Sequence, residues 1–292
     1  MRGMIPRIEY YRFETLNEAL RFLRNNPDSK IIAGGTDLVI QLRSGKVEAR
    51  KLLDISRISE LRYVQDESEY VRIGALTTIE ELKNSGIIKV YAQPLWIAVN
   101  NFAVWQVRNT ATIGGNICNA SPAADTVPPL IVLEAKLKLQ NIDRGREVKV
   151  EEFFKGPGET IIEKDEILTE IVIPKKDSSW RYSFIKLGKR YSHILSIVSV
   201  AVGLKIDDRK IEDVIVALGS VAPTPVRARS VEEYLRERQA ASKLIEEASR
   251  EVVKDIKPIS DVRASAEYRI EMSKVLVRRA LSECLKAYCF LS

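Results

Sequence analysis

Two stretches of this 292-residue chain end an apolar run with adjacent glycines and follow them at once with a small polar residue: "IIAGGTDL" at residues 31–38 and "ATIGGNI" at 111–117. A glycine pair opens backbone conformations closed to other residues, so that consecutive N–H groups can converge on an anion. A helix beginning near Asp37 would add its positive end. Two such loops from separate lobes would clamp the two halves of one pyrophosphate. The plainer reading makes each pair a tight strand-to-helix turn. The paired occurrence, with Thr36 and Asn116 as polar continuations, favours the clamp. None of the fourteen glycines falls in a G-x-G-x-x-G or a G-x-x-x-x-G-K-[ST] pattern, which removes the Rossmann and P-loop readings.

Other reactive side chains are sparse. The three cysteines, Cys118, Cys284 and Cys289, form no C-x-x-C, so neither a disulfide framework nor a zinc or iron–sulfur site is legible. Cys118 is expected as a small buried thiol. His193 is the single histidine, with no Ser, Cys or carboxylate cluster around it and no second histidine for a metal. No catalytic residue and no metal ligand is therefore assigned. The formal charge is +6, and from Lys175 onward 23 Lys and Arg stand against 16 Asp and Glu, so the surplus is C-terminal. There, "VEEYLRERQAASKLIEEASREVVKD" interleaves its basic residues with Glu at helical spacing, the pattern of a solvated, self-paired face rather than of a nucleic-acid stripe. No segment approaches the roughly 20 apolar residues needed to span a bilayer. A soluble, cytoplasmic protein is expected, and the charged composition of 29% is compatible with a thermophile.

The elements that must carry the glycine pairs follow from periodicity. "RIEYYRF" alternates, Thr15 caps the helix "TLNEALRFLRNN", "SKIIAGG" is a short strand, "TDLVIQLRSGK" a short helix closed by Gly45, and "KLLDIS" a strand. Next come a strand and a helix in "YVRIGALTTIEEL", capped by Thr78 and Glu81. "YAQPLWIAVNNFAVWQVRN" reads as a helix with Leu95, Ala98, Val99, Phe102 and Val107 on one side. "PPLIVLEAKLKLQN" and "EILTEIVIP" read as strands around the turn "EEFFKGPGET". Beyond the linker at Pro174, "RYSFIKLGKR", "ILSIVSVAVGLKID" and "KIEDVIVALGSVAPTPVRA" form a strand meander, followed by two or three helices.

The stretches "KIIAGGTDLVIQLR" and "NTATIGGNICNASPAADTVPPLIVLEA", with "EILTEIVIP" and "YSFIKLGKRYSHILSIVSVAVGL", resemble the FAD-binding or medium subunit of the molybdenum hydroxylases, the family of xanthine dehydrogenase, carbon monoxide dehydrogenase and the aldehyde oxidoreductases. The resemblance implies an α+β fold: two FAD-binding subdomains of the vanillyl-alcohol-oxidase (PCMH) type, residues 1–57 and 58–174, and a C-terminal domain of antiparallel sheet plus helices, 175–292. It places Ala33, Gly34, Gly35, Thr36, Asp37 and Leu38 around the FAD pyrophosphate from the first subdomain, and Thr112, Gly114, Gly115, Asn116 and Asn119 from the second. Asp125 would meet a ribose or an amino group. Phe102 would stand near the flavin ring, Leu168 and Lys186 would touch adenine or flavin, and Tyr191 would cover the ring. Thr36 occupies a position where some relatives carry an anchoring His, so the FAD is expected to be non-covalent.

The function implied is that of an electron-transfer subunit. Its partners would be a large subunit with the molybdenum cofactor, a small subunit with [2Fe–2S] clusters and an external electron acceptor. Aldehyde oxidation, with glyceraldehyde as the example, is the favoured reaction. The alternative is a stand-alone FAD-dependent oxidoreductase of the same fold whose substrate reaches the flavin directly.

Overall fold

The computed structural model describes residues 7–189 and 195–289, and the elements it contains fall into three larger sheets with their helices and one two-stranded hairpin. The first is a parallel sheet of order β1-β3-β2, with β1 Glu9–Arg12, α1 Leu16–Asn25, β2 Lys30–Ile32, α2 Leu38–Ser44 and β3 Lys51–Asp54. Local signals suffice here. Thr15 accepts the Glu18 N–H at the start of α1, and Gly45 closes α2 at φ +71°. Ala19, Leu20 and Leu23, spaced for one helix face, are buried against Leu53 and Ile55.

The second sheet is antiparallel, order β4-β5-β10-β6-β7, built from β4 Val64–Asp66, β5 Tyr70–Gly74, β6 Lys136–Gln140, β7 Gly145–Lys149 and β10 Ile167–Pro174, with the small hairpin β8 Phe154–Gly156 and β9 Glu159–Thr160 beside it. Between β5 and β6 lie α3 Ile79–Asn84, α4 Gly86–Tyr91, α5 Gln93–Asn100, α6 Trp105–Arg108, α7 Ile113–Cys118 and α8 Val127–Val132. Thr78 and Glu81 form a complete capping box at α3.

Three sequence expectations fail in this lobe. The long helix expected through residues 91–109 is broken, because Pro94 restarts the chain as α5 and Ala103 takes a left-handed φ of +32° before α6. The segment "PPLIV", expected as strand, is the helix α8. Every one of its six residues is buried, so no period marks it, while prolines at its first turn suit a helix start. The second glycine pair lies inside α7 rather than in a loop.

The third sheet is the meander β11 Trp180–Leu187, β12 Val198–Asp207, β13 Lys210–Gly219 and β14 Val226–Arg227, followed by α9 Arg229–Leu235, α10 Ser242–Glu251 and α11 Ala266–Cys289. It is covered on both faces, which explains why β12 and β13 read as continuous apolar runs. Phe184, Ala201, Ile215 and Ala217 join the core of the second lobe, against α5 and α8. Val200, Val202, Val214 and Val216 face α9 to α11. No helix among the described residues is long and apolar enough to cross a membrane.

Candidate functional site

A groove of about 910 Å³ runs between the first lobe and the second, within the range of cofactor sites. Its floor on the first side is the stretch after β2. A Cβ on Gly34 would stand 1.9 Å from the Thr110 carbonyl oxygen, so only glycine lets the first lobe touch the second at that point. Gly35 has φ +68°, the left-handed region that favours glycine. Among the described residues, the N–H groups of residues 34–38 donate to no acceptor, and the first to find one is Val39, bonded to the Gly35 carbonyl at 3.1 Å. Five successive unspent donors at the mouth of a helix suit an anion. The Asp37 side chain makes no capping bond.

The second glycine pair works differently from the expected cradle. In α7, Gly115 N–H donates to Thr112 Oγ1 at 3.0 Å, Ile113 N–H to Thr77 O at 3.0 Å, Gly114 N–H to Ala75 O at 2.9 Å and Asn116 N–H to Thr112 O at 3.0 Å. These four donors are spent, because the pair forms the first turn of a capped helix. Gly114 is needed for packing: a Cβ there would lie 2.7 Å from that of Ala75. Gly115 is exposed in the groove, and among the described residues an added Cβ would meet only Thr112 Oγ1, at 2.9 Å. What this side offers is bare surface and two side-chain amides. Asn116 is fixed by Thr126, whose hydroxyl donates to Oδ1 at 2.6 Å, and Asn119 by Gln41 of α2, whose amide donates across the lobes at 2.9 Å.

Ala33, Gly34, Gly35, Thr36, Asp37, Leu38, Phe102, Thr112, Gly114, Gly115, Asn116, Asn119, Asp125 and Leu168 all line this groove. A register shift between Leu168 and Glu170 marks β10 where it borders the site, as bulges do beside functional grooves. Lys186 is not among the lining residues. Its ammonium donates to Asp125 Oδ2 at 2.5 Å, and Ser196 donates to Asp125 Oδ1 at 2.5 Å. Asp125 and Lys186 are both more than nine-tenths buried. Each carboxylate oxygen of Asp125 thus holds a protein partner, which makes this groove-lining residue also a clamp between the second lobe and the meander. Burial pushes the Asp125 carboxyl up, against the pull of Lys186 and Ser196. Cys118, expected to be buried, lies exposed on the groove wall. Tyr191 and His193 lie outside the described residues.

Several lining residues carried no signal in the sequence. Gln41 sits in the quoted helix but reads as an ordinary surface amide. Leu195, residues 162–164 and residues 166–167 reach the groove only through the fold. Among the described residues, no group of three or more His, Cys, Asp or Glu is placed to hold a metal.

Residues 6–176 match the model of the FAD-binding domain in molybdopterin dehydrogenase, and residues 183–284 that of the CO dehydrogenase flavoprotein C-terminal domain. The chain is 36% identical to the glyceraldehyde dehydrogenase medium chain of Sulfolobus acidocaldarius, over 95% of this chain and 98% of that one. It is 32% identical to the xanthine dehydrogenase FAD-binding subunit of Escherichia coli O157:H7, over 95% and 96%. The carbon monoxide dehydrogenase of Hydrogenophaga pseudoflava superposes with a TM-score of 0.93 at 30% identity, covering 97% of this chain and 99% of that one. A groove between two lobes, a first-lobe turn of unspent donors and these matches along nearly the whole length lead to one assignment: the chain belongs to the FAD-binding medium subunits of the molybdenum hydroxylase family.

Proposed function

We propose that this chain holds FAD non-covalently in the interlobe groove and serves as the electron-transfer subunit of a cytoplasmic molybdenum/iron–sulfur hydroxylase. The observation that carries the reading is the run of N–H groups over residues 34–38, which find no acceptor among the described residues and belong to residues lining the same groove as the exposed Gly115. Residues 33–38 would hold the pyrophosphate through main-chain donors. Gly115 leaves room for it, and the Asn116 and Asn119 amides add side-chain donors. Phe102 and Leu168 supply apolar wall. A bound FAD would supply the one-electron redox chemistry, with these residues holding and orienting it. The fixed Lys186–Asp125 pair behind the wall keeps the second lobe and the meander in register, and the three sheets support divisions after residues 57 and 174.

The partners in this reading are a large molybdenum-cofactor subunit, a small [2Fe–2S] subunit and an external acceptor. The similarity to the Sulfolobus acidocaldarius medium chain supports aldehyde oxidation, with glyceraldehyde the first substrate to try. The test is purification from the native host, followed by FAD release on denaturation, iron and molybdenum analysis, and identification of the accompanying chains. FAD together with both metals and two further chains is the expected result. A lone chain that oxidises an aldehyde without either metal would establish the stand-alone reading instead.

A further inference from the structure

Three successive carbonyls in the turn between α5 and α6 are held by two cations that do not line the groove. Lys186 Nζ lies 3.4 Å from Asn101 O, and Arg108 Nη1 donates to Phe102 O at 3.0 Å and to Ala103 O at 2.9 Å. Arg108 is 9% exposed, and its Nε donates to Glu80 Oε2 at 2.5 Å, so its charge is paired from α3. Glu80 is held in the carboxylate form, lowered first by the Arg108 hydrogen bond. The turn is strained: Ala103 has φ +32°, a conformation that an alanine adopts at a cost. Phe102, Ala103 and Val107 are groove wall.

We propose that Arg108 is a positioning residue for the cofactor, its planar fork pulling the Phe102 and Ala103 carbonyls back so that the strained turn presents the Phe102 side chain and the Ala103 main chain to the groove. This rests on the FAD reading above. The Ala103 N–H donates to no acceptor among the described residues, so the turn offers the groove both an apolar ring and a free donor. A lysine at position 108 would keep the charge and lose the fork, because an ammonium is a point donor that cannot hold two carbonyls and a carboxylate in one plane. Glycine at 103 would adopt the left-handed conformation without strain and would need the fork less.

The measurements are FAD affinity by flavin fluorescence and the visible spectrum of the bound flavin, with folding followed by circular dichroism. Arg108→Lys is expected to weaken FAD binding about tenfold, the equivalent of one lost charge-assisted hydrogen bond, and to shift the spectrum, with a lower melting temperature but a folded circular-dichroism spectrum. Adding Ala103→Gly is expected to recover about threefold of that loss, a rescue that a merely structural arginine would not show. Binding by R108K within twofold of wild type, or no recovery in the double variant, overturns the inference. If R108K does not fold, Glu80→Gln decides: about threefold weaker binding supports the role, and unchanged binding removes it. A wild-type chain that takes up no FAD would instead overturn the reading beneath.

Discussion

The main-chain oxygen of Thr110 stands 1.9 Å from the place a Cβ on Gly34 would occupy, so the two lobes meet backbone to backbone beside the groove. Gly34→Ala must therefore push the first lobe away or distort residues 110–111. The expected outcome is loss of FAD from the purified protein together with a lower melting temperature. Gly45→Ala makes the contrast. It has a left-handed φ of +71°, which Gly34 does not, but nothing within 4 Å among the described residues, so it should cost only about 1 kcal/mol of local strain and keep its FAD. Equal behaviour of the two variants would contradict the contact.

Gly115→Val tests the opposite wall. Among the described residues an added Cβ meets only Thr112 Oγ1, at 2.9 Å, and nothing else lies within 4 Å of it. The cap bond from Gly115 N–H would weaken, at a cost of about 1 kcal/mol, so the fold should survive. FAD content, measured as flavin absorbance per protein, should fall to near zero. Full flavin content would show that the phosphates do not pass there.

Lys186→Met removes the partner of a carboxylate that is itself 6% exposed. The uncompensated Asp125 should cost about 3–5 kcal/mol at neutral pH. Its folded-state pKa is already raised by burial and would rise further without Lys186, so the folded form binds its proton more readily than the unfolded form. The deficit should then shrink as pH falls through that raised value, because protonation removes the buried charge. Melting curves of variant and parent between neutral and mildly acidic pH would show the gap closing. A gap that stays constant would mean the pair carries no charge coupling.

Asp261 gives the reverse sign. The Arg263 guanidinium, and after it Arg269, hold its carboxyl far below the usual range, and Arg269 also donates to Ile197 O at 2.6 Å and Ser220 O at 2.9 Å, anchoring the start of α11 to the meander. A depressed carboxylate contributes stability that is present above the unfolded value of about 4 and is lost as pH falls below it toward the folded one. Asp261→Asn should thus lower the melting temperature at neutral pH, and the difference from wild type should narrow below about pH 4. A difference that widens on acidification would reverse the assignment.

The chain by itself determined the β-α-β-α-β order of the first lobe, the caps at Thr15, Thr78 and Gly45, the meander and both glycine pairs. Each of these rests on a period or on a spacing of a few residues, and a local signal survives in any context. The tertiary structure alone decided the rest. It made "PPLIV" a helix, since a segment buried on every side shows no period. It spent the donors of the second glycine pair on Ala75 and Thr112, and left the N–H groups of residues 34–38 without an acceptor among the described residues. It joined Asp125 to a lysine 61 positions away and broke the α5–α6 helix at an alanine held by Arg108. Such outcomes depend on partners that the fold brings together across long stretches of chain, and no spacing along the sequence encodes them.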